Sequence, residues 1–280
     1  MAVLFRFDGI LPDNSSKEER KIREGLLCLS ACSRKIFRGS CWSTFLSMVQ
    51  YIRTKEAVMK GKLIVLEGID GSGKETQSAL LEKKLSEAGK RVMHVSFPDY
   101  GSESSALVKM YLRGDFGRDP EAVNPYAASL FFAVDRFASY RMKWKNFYEQ
   151  GGIVIADRYT TSNMVHQMTK YEKKEERQQF ADWLEKTEYG ELELPRPDLV
   201  ILLDIPLQVS EKLVRERARK GGSMDIHETH FEYLAKCHEA YQELVRSYGW
   251  KKISCFRAGI LRSVEDIGRD VYAEAESILE

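Results

Sequence analysis

The stretch Lys62-Leu63-Ile64-Val65-Leu66-Glu67-Gly68-Ile69-Asp70-Gly71-Ser72-Gly73-Lys74-Glu75-Thr76 decides the fold. Residues 63–67 read as a short buried strand, and the pattern over 75–87 reads as a helix. Between them lies Gly68-x-x-x-x-Gly73-Lys74. Glycines let successive backbone N–H groups converge on an anion, and the helix N-terminus adds its partial positive charge. A strand before and a helix after make the motif specific. It reads as a cradle, from Gly68 through Ile69, Asp70, Gly71, Ser72 and Gly73 to Lys74, for the phosphates of ATP, with Lys74 reaching the β- and γ-phosphates.

One position departs from the pattern. The hydroxyl expected directly after the lysine arrives one residue late, as Thr76, and Glu75 stands in its place. Glu75 either meets a magnesium ion or points to solvent from the first helical turn, where the helix dipole favours a carboxylate. Both readings stand, with solvent the favoured one.

Outward from the loop, apolar runs at 92–97, 153–157, 199–204 and 253–256 alternate with helical patterns at 104–112, 125–149, 173–186, 209–217, 228–247 and 264–279. Strands alternating with helices imply right-handed crossovers and a parallel sheet covered on both faces. The expected fold is therefore α/β, a P-loop NTPase with a five-stranded parallel sheet flanked by helices on both faces. No internal repeat is visible.

Residues 1–60 read differently, with a charged run at 17–24, a Cys/Ser/Arg-rich stretch at 28–41 and no strand–helix alternation. The expectation is an N-terminal extension, poorly ordered, ahead of a catalytic domain over 61–280. Translation from Met59 and a targeting or partner-binding role are the competing readings. Asp8, Asp13, Glu18, Glu19 and Glu24 count against a transit peptide.

Bulk properties exclude several classes. With 43% hydrophobic and 30% charged residues, the composition is that of a soluble globular chain. A net charge of +1 gives no basic field for nucleic acid or anionic membranes. No run has the length of a membrane span, and no secretory signal opens the chain. The cysteines Cys28, Cys32, Cys41, Cys237 and Cys255 are odd in number and lack C-x-x-C spacing, which points to a reducing, cytoplasmic compartment.

Two acid–base pairs carry further chemistry. Asp157-Arg158 closes the strand at 153–157, and ligands of open parallel sheets bind at the carboxyl ends of strands. Asp157 suits magnesium or its water shell and Arg158 suits a phosphate; a structural ion pair is the alternative. In Asp135-Arg136, Phe132 and Arg136 lie four apart and share a helix face, which suits a flat base with carbonyl acceptors, or simply core packing. Phe97-Pro98-Asp99-Tyr100 closes the second strand and leaves the Tyr100 hydroxyl within reach of a phosphate. Arg215, Arg217, Arg219 and Lys220 run into Gly221-Gly222, a pattern for a lid (about 217–228) whose arginines neutralise a transferring phosphoryl group. His227, His230 and His238 are expected on helix surfaces, and Cys237 and Cys255 in packing.

Taken together and in this order, the Gly68–Lys74 loop, Phe97-Pro98, Phe132 with Arg136, Asp157-Arg158-Tyr159, Ser162-Asn163, Pro197-Asp198 and Asp204-Ile205-Pro206 resemble thymidylate kinases over about 61–280. The resemblance adds a mobile lid to the fold and implies γ-phosphoryl transfer from MgATP to dTMP in a homodimer. It implies that Phe132 stacks on thymine, Arg136 bonds its carbonyl, and Asn163 meets the ring nitrogen with Gln167 nearby. Ser162 belongs to the same motif. Arg158 would hold the acceptor phosphate, and His166 would sit near the sugar, where a 2′-hydroxyl is disfavoured. Asp70 would contact the sugar or the magnesium environment, which makes Asp70 and Asp157 the metal candidates. Gly71-Ser72 within the loop matches the variety whose catalytic arginines lie in the lid, with Arg215 and Arg219 the leading choices. Asp99 stands where the family often has a phosphate-gripping arginine. Competing readings are a kinase for another pyrimidine monophosphate, a deoxynucleoside kinase using Asp99, and a catalytically weak nucleotide-binding homologue.

Overall fold

A computed structural model describes residues 60–220, 226–227 and 230–279. All lie in the second of the two units, Met1–Ala57 and Val58–Glu280, into which the chain divides. The expectations for residues 1–59, including the start at Met59, and for most of the lid tip fall outside the described residues.

Five strands form one parallel sheet: β1 (Lys62–Glu67), β2 (Val92–Ser96), β3 (Ile153–Asp157), β4 (Leu199–Asp204) and β5 (Lys251–Ser254), in the order β2-β3-β1-β4-β5. β1 is central, pairing Leu66 with Asp157 of β3 on one side and with Ile201 of β4 on the other. β1 from Leu63 onward, all of β3 and nearly all of β4 are buried. Successive side chains point to opposite faces, so continuous burial requires cover on both sides of the sheet. The order reverses at β1, which sets the loop after it at the topological switch point.

The helices are α1 (Lys74–Glu87), α2 (Ala106–Leu112), α3 (Pro125–Ser139), α4 (Lys145–Glu149), α5 (Thr160–Met168), α6 (Lys174–Glu185), α7 (Leu207–Arg219), α8 (Phe231–Tyr248) and α9 (Val264–Glu276). α1 and α9 pack together so closely that Gln77 Nε2 donates to the Val264 carbonyl at 2.9 Å. α3, α5 and α8 make the second group, α5 touching both of the others.

The structure differs from the sequence reading at three places. The helix expected over 125–149 is two helices joined by a π-helical turn, Tyr140–Trp144, which buries both aromatic rings. α5 was not foreseen, because Thr160, Thr161, Ser162 and Asn163 are weak helix formers without an apolar period. The last strand ends at Ser254 rather than 256. The chain then makes an antiparallel hairpin, Phe256–Arg257 with Ile260–Leu261, across Ala258 and Gly259, both at positive φ.

Trp144 is fully buried among Tyr140, Tyr148 and Tyr159, so it ties the π turn to the end of β3. Trp144→Ala is expected to cost about 3–5 kcal/mol of stability, read as a lower urea midpoint at unchanged slope.

Candidate active site

The loop after β1 places three glycines, Gly68, Gly71 and Gly73, at positive φ. Gly68 has φ 149, and a Cβ there would stand 2.8 Å from the Leu203 carbonyl oxygen and 2.6 Å from Ser72 Oγ. Gly73 caps α1 in the left-handed region at φ 88. Lys74 opens the helix and turns back over the loop, donating to the carbonyls of Gly68 at 3.0 Å and Ile69 at 3.1 Å. Burial first, and the neighbouring Arg158 second, push its ammonium down to about 8. Glu75 and Thr76 are exposed on the first turn and line the cavity.

Arg158 follows β3 with φ 66, a left-handed backbone uncommon outside glycine and typical of residues held for function. Its Nη2 meets Asp70 Oδ1 at 2.5 Å, and its Nη1 donates to Ser162 Oγ at 3.0 Å and to Tyr241 OH at 3.4 Å. Burial alone would raise the Asp70 carboxyl; Arg158 and Lys74 outweigh it and hold the group well below the usual carboxylate range. Behind this pair sits Glu67, fully buried at the end of β1. It accepts from Thr161 Oγ1 at 2.6 Å, Ser162 Oγ at 2.7 Å and Tyr241 OH at 2.8 Å. Two of those three donors also touch Arg158, so Glu67 braces the guanidinium from behind. A carboxylate interrupting an apolar strand just before the loop was the sequence signal for it.

A cavity of about 910 Å³ opens from this cluster. It is lined by Asp70, Gly71, Gly73, Lys74, Phe97, Pro98, Tyr100, Phe132, Arg136, Asp157, Arg158, Ser162, Asn163, His166 and Gln167, among others. The structure thus brings nearly all the sequence candidates together. Phe132 is held edge-on by Tyr111, ring centres 6.0 Å apart, within a small second core of Val108, Tyr111, Leu112, Ala128 and Ile226. Arg136 and Glu188 form a buried two-armed ion pair. Burial works against the Arg136 charge, and Glu188 more than restores it. Asn163 Nδ2 donates to Glu188 and to the Ser129 carbonyl, while Asn163 Oδ1 and both amide atoms of Gln167 are buried with no protein partner. Orphaned polar atoms gathered on one cavity wall mark a surface made for a polar ligand.

Other candidates lie elsewhere. Arg217 lines the cavity, whereas Arg215 pairs with Glu211 at 2.6 Å on the exposed side of α7 and Arg219 is not among the lining residues. Asp99 is paired with Lys143 and its backbone N–H is held by Asp135, outside the cavity lining. Lys109 of α2 and Arg113 just after it, the latter paired with Asp115 at 2.7 Å, were not foreseen from the sequence and supply positive charge on the cavity wall. The surface placement expected for the histidines fails for His227. It is buried, lines the cavity, stacks on His166 at 5.0 Å and is pushed down to about 3, chiefly by burial. It lies there because residues 226–227 dock on α2, where the Ile226 N–H donates to the Leu112 carbonyl at 3.1 Å. Cys237 and Cys255 are buried and free, as expected of packing residues.

The fit of a magnesium ion rests on Asp157, a buried carboxylate on the cavity wall in register with Leu66. No group of three or more His, Cys, Asp or Glu gathers as a cage among the described residues. One carboxylate is the donor set of an ion held mainly by phosphate oxygens and water. The donors fit.

A glycine loop at the switch point, two cations at its mouth and a polar, aromatic cavity beyond define a P-loop phosphotransferase that works on a nucleotide. Comparison with known proteins agrees and narrows the class. The family model described as thymidylate kinase matches residues 66–267. A probable thymidylate kinase of Pyrococcus abyssi is 32% identical over 77% of this chain and 96% of its own length. The thymidylate kinase of Mycobacterium tuberculosis strain H37Rv is 30% identical over 67% of this chain and 87% of its own length. A solved thymidylate kinase from Candida albicans superposes with a TM-score of 0.59 at 24% identity, covering 78% of this chain and 92% of that one. The chain belongs to the thymidylate kinase family.

The Asp70–Arg158 pair has a pH signature. The folded pKa of Asp70 lies below its unfolded value of about 4, so the stabilisation is complete above pH 4 and is lost as pH falls through the folded value. Asp70→Asn is expected to flatten the acid limb of stability between about pH 4 and 2, followed by circular dichroism.

Proposed function

We propose that the chain transfers the γ-phosphoryl group of MgATP to dTMP, giving ADP and dTDP in the cytoplasm. The observation that carries this reading is the single cavity joining the P-loop to Phe132, Arg136, Asn163 and Gln167, with Arg158 between the two ends. ATP phosphates lie along the backbone from Gly68 to Gly73, with Lys74 on the β- and γ-oxygens. The thymine ring lies against Phe132, and the acceptor phosphate meets Arg158, with Lys109 and Arg113 taking the place of the arginine absent after Pro98. Asp157 would hold Mg2+; Asp70 is committed to Arg158. When bound, the ion screens charge on the triphosphate. The attacking oxygen belongs to a phosphate already ionised at neutral pH, so positioning and charge neutralisation carry the chemistry, with no general base. Arg217 is the lid arginine placed for this neutralisation. Pairing of Asp99 with Lys143 removes the carboxylate that a deoxynucleoside kinase would use, so the monophosphate reading is the stronger one.

The family's homodimer also fits. Tyr126, Leu130, Val134 and Phe137 expose an apolar stripe along α3, opposite the face that carries Phe132 and Arg136. Leu130→Glu with Val134→Glu is expected to halve the sedimenting mass. No helix of the described residues is long and apolar enough to cross a membrane.

ADP release measured across dTMP, dUMP, UMP, CMP and thymidine should show highest kcat/KM for dTMP, with Lys74→Ala lowering kcat by about 10²–10³-fold. Failure to turn over dTMP at saturating MgATP defeats the reading. Because the Lys74 ammonium titrates at about 8, ATP affinity should be flat below that pH and fall by up to about tenfold per unit above it, measured by calorimetry.

A further inference from the structure

Glu188 carries no catalytic motif, yet it is the most fully engaged carboxylate beside the cavity. It lies fully buried in the turn after α6, Lys186–Glu191. Its Oε2 accepts from Arg136 Nε at 2.6 Å and from Thr160 Oγ1 at 2.8 Å. Its Oε1 accepts from Arg136 Nη2 and from Asn163 Nδ2 at 3.1 Å. A carboxylate is an acceptor only, so every group it touches must present a donor to it.

Two consequences reach the cavity. Arg136 has its Nε/Nη2 edge fixed against Glu188, and because the guanidinium is planar, the Nη1 edge is the part turned outward. Asn163 is oriented just as firmly. The neighbours of its inner amide atom, Glu188 Oε1 and the Ser129 carbonyl, are both acceptors, so that atom must be the NH2. The outward atom is then the carbonyl, Oδ1, which has no protein partner. The cavity therefore presents a donor, Arg136 Nη1, together with an acceptor, Asn163 Oδ1, in a polarity that Glu188 sets.

We infer that Glu188 is the positioning residue for base selection, fixing the site for a ring carbonyl next to a ring N–H and against an amino group next to a bare ring nitrogen. This rests on the dTMP reading above. Thymine offers O4 to Arg136 and N3–H to Asn163. Cytosine would set its amino group against the Arg136 donor and its bare N3 against the Asn163 acceptor, two unpaired contacts in place of two bonds. Glu188 touches neither base; it acts through Arg136 and Asn163.

The test is kcat and KM of wild type and Glu188→Gln for dTMP and dCMP, with folding followed by thermal melting. Glutamine replaces one acceptor with a donor, so Arg136 loses an arm or the Asn163 amide turns over to face the new NH2. The expected result is a dTMP KM raised about tenfold with kcat changed much less, and a dTMP-over-dCMP ratio of kcat/KM reduced by about tenfold or more. Glu188→Asp keeps the acceptor chemistry and should hold a ratio closer to wild type than Glu188→Gln does. If Glu188→Gln does not fold, Arg136→Met combined with Glu188→Met removes both buried charges at similar volume, a change that folds tolerate. That pair should lose the dTMP preference to within about threefold. A folded variant of either kind that keeps the wild-type ratio overturns the inference, as does a Glu188→Gln loss confined to kcat and equal for both nucleotides. Wild type that ignores dTMP altogether would instead defeat the functional reading on which it rests.

Discussion

Two cations side by side at the mouth of a buried loop repel each other, and the site depends on how that repulsion is contained. Lys74 and Arg158 come from the starts of segments that follow β1 and β3, adjacent strands in register. Asp70, inside the loop, is the carboxylate that lets both stay charged, through its 2.5 Å bond to Arg158 and its nearness to Lys74. Glu67 answers the same field from the other side, its oxygens filled by hydroxyls rather than by a cation. The arrangement is charged and rigid before any phosphate arrives. Transition-state charge on phosphoryl oxygens is then met by groups that need little reorganisation.

The nucleotide end of the cavity uses the same device in a drier setting. A buried arginine is fixed by a buried carboxylate, which also orients an amide. Such a pair contributes little net stability, because desolvation offsets the attraction, but it holds direction tightly. Both ends of the cavity therefore spend carboxylates on orienting cations. Asp157, also on the cavity wall, is not tied up in this way and is suited to a metal.

The sheet and the loop were legible because their signals are local. An apolar run followed by a glycine pattern and a helix needs no tertiary context, and β3 and β4 have the bounds that their apolar runs indicate. Phe132 and Arg136 were legible from helical spacing and motif order. What could not be read was set by contacts between distant segments. Glu188 lies 52 residues from Arg136 and has no periodicity to mark it. His227 looked like a surface histidine because nothing local shows that its segment folds back onto α2. Choosing Arg217 over its neighbours requires knowing which side of α7 faces the cavity. α5 was missed because its polar residues are bonded to Glu67 and Glu188 rather than to water, a tertiary override of weak local propensity.

The central claim is that one cavity holds donor and acceptor together, so that phosphoryl passes directly from one nucleotide to the other. Phosphorus-31 NMR of the full chain with MgATP and dTMP observes both phosphates at once. Growth of the dTDP β-phosphate signal in step with loss of the ATP γ-phosphate, without orthophosphate, is the result this account predicts. Release of orthophosphate while dTMP stays unchanged would contradict it.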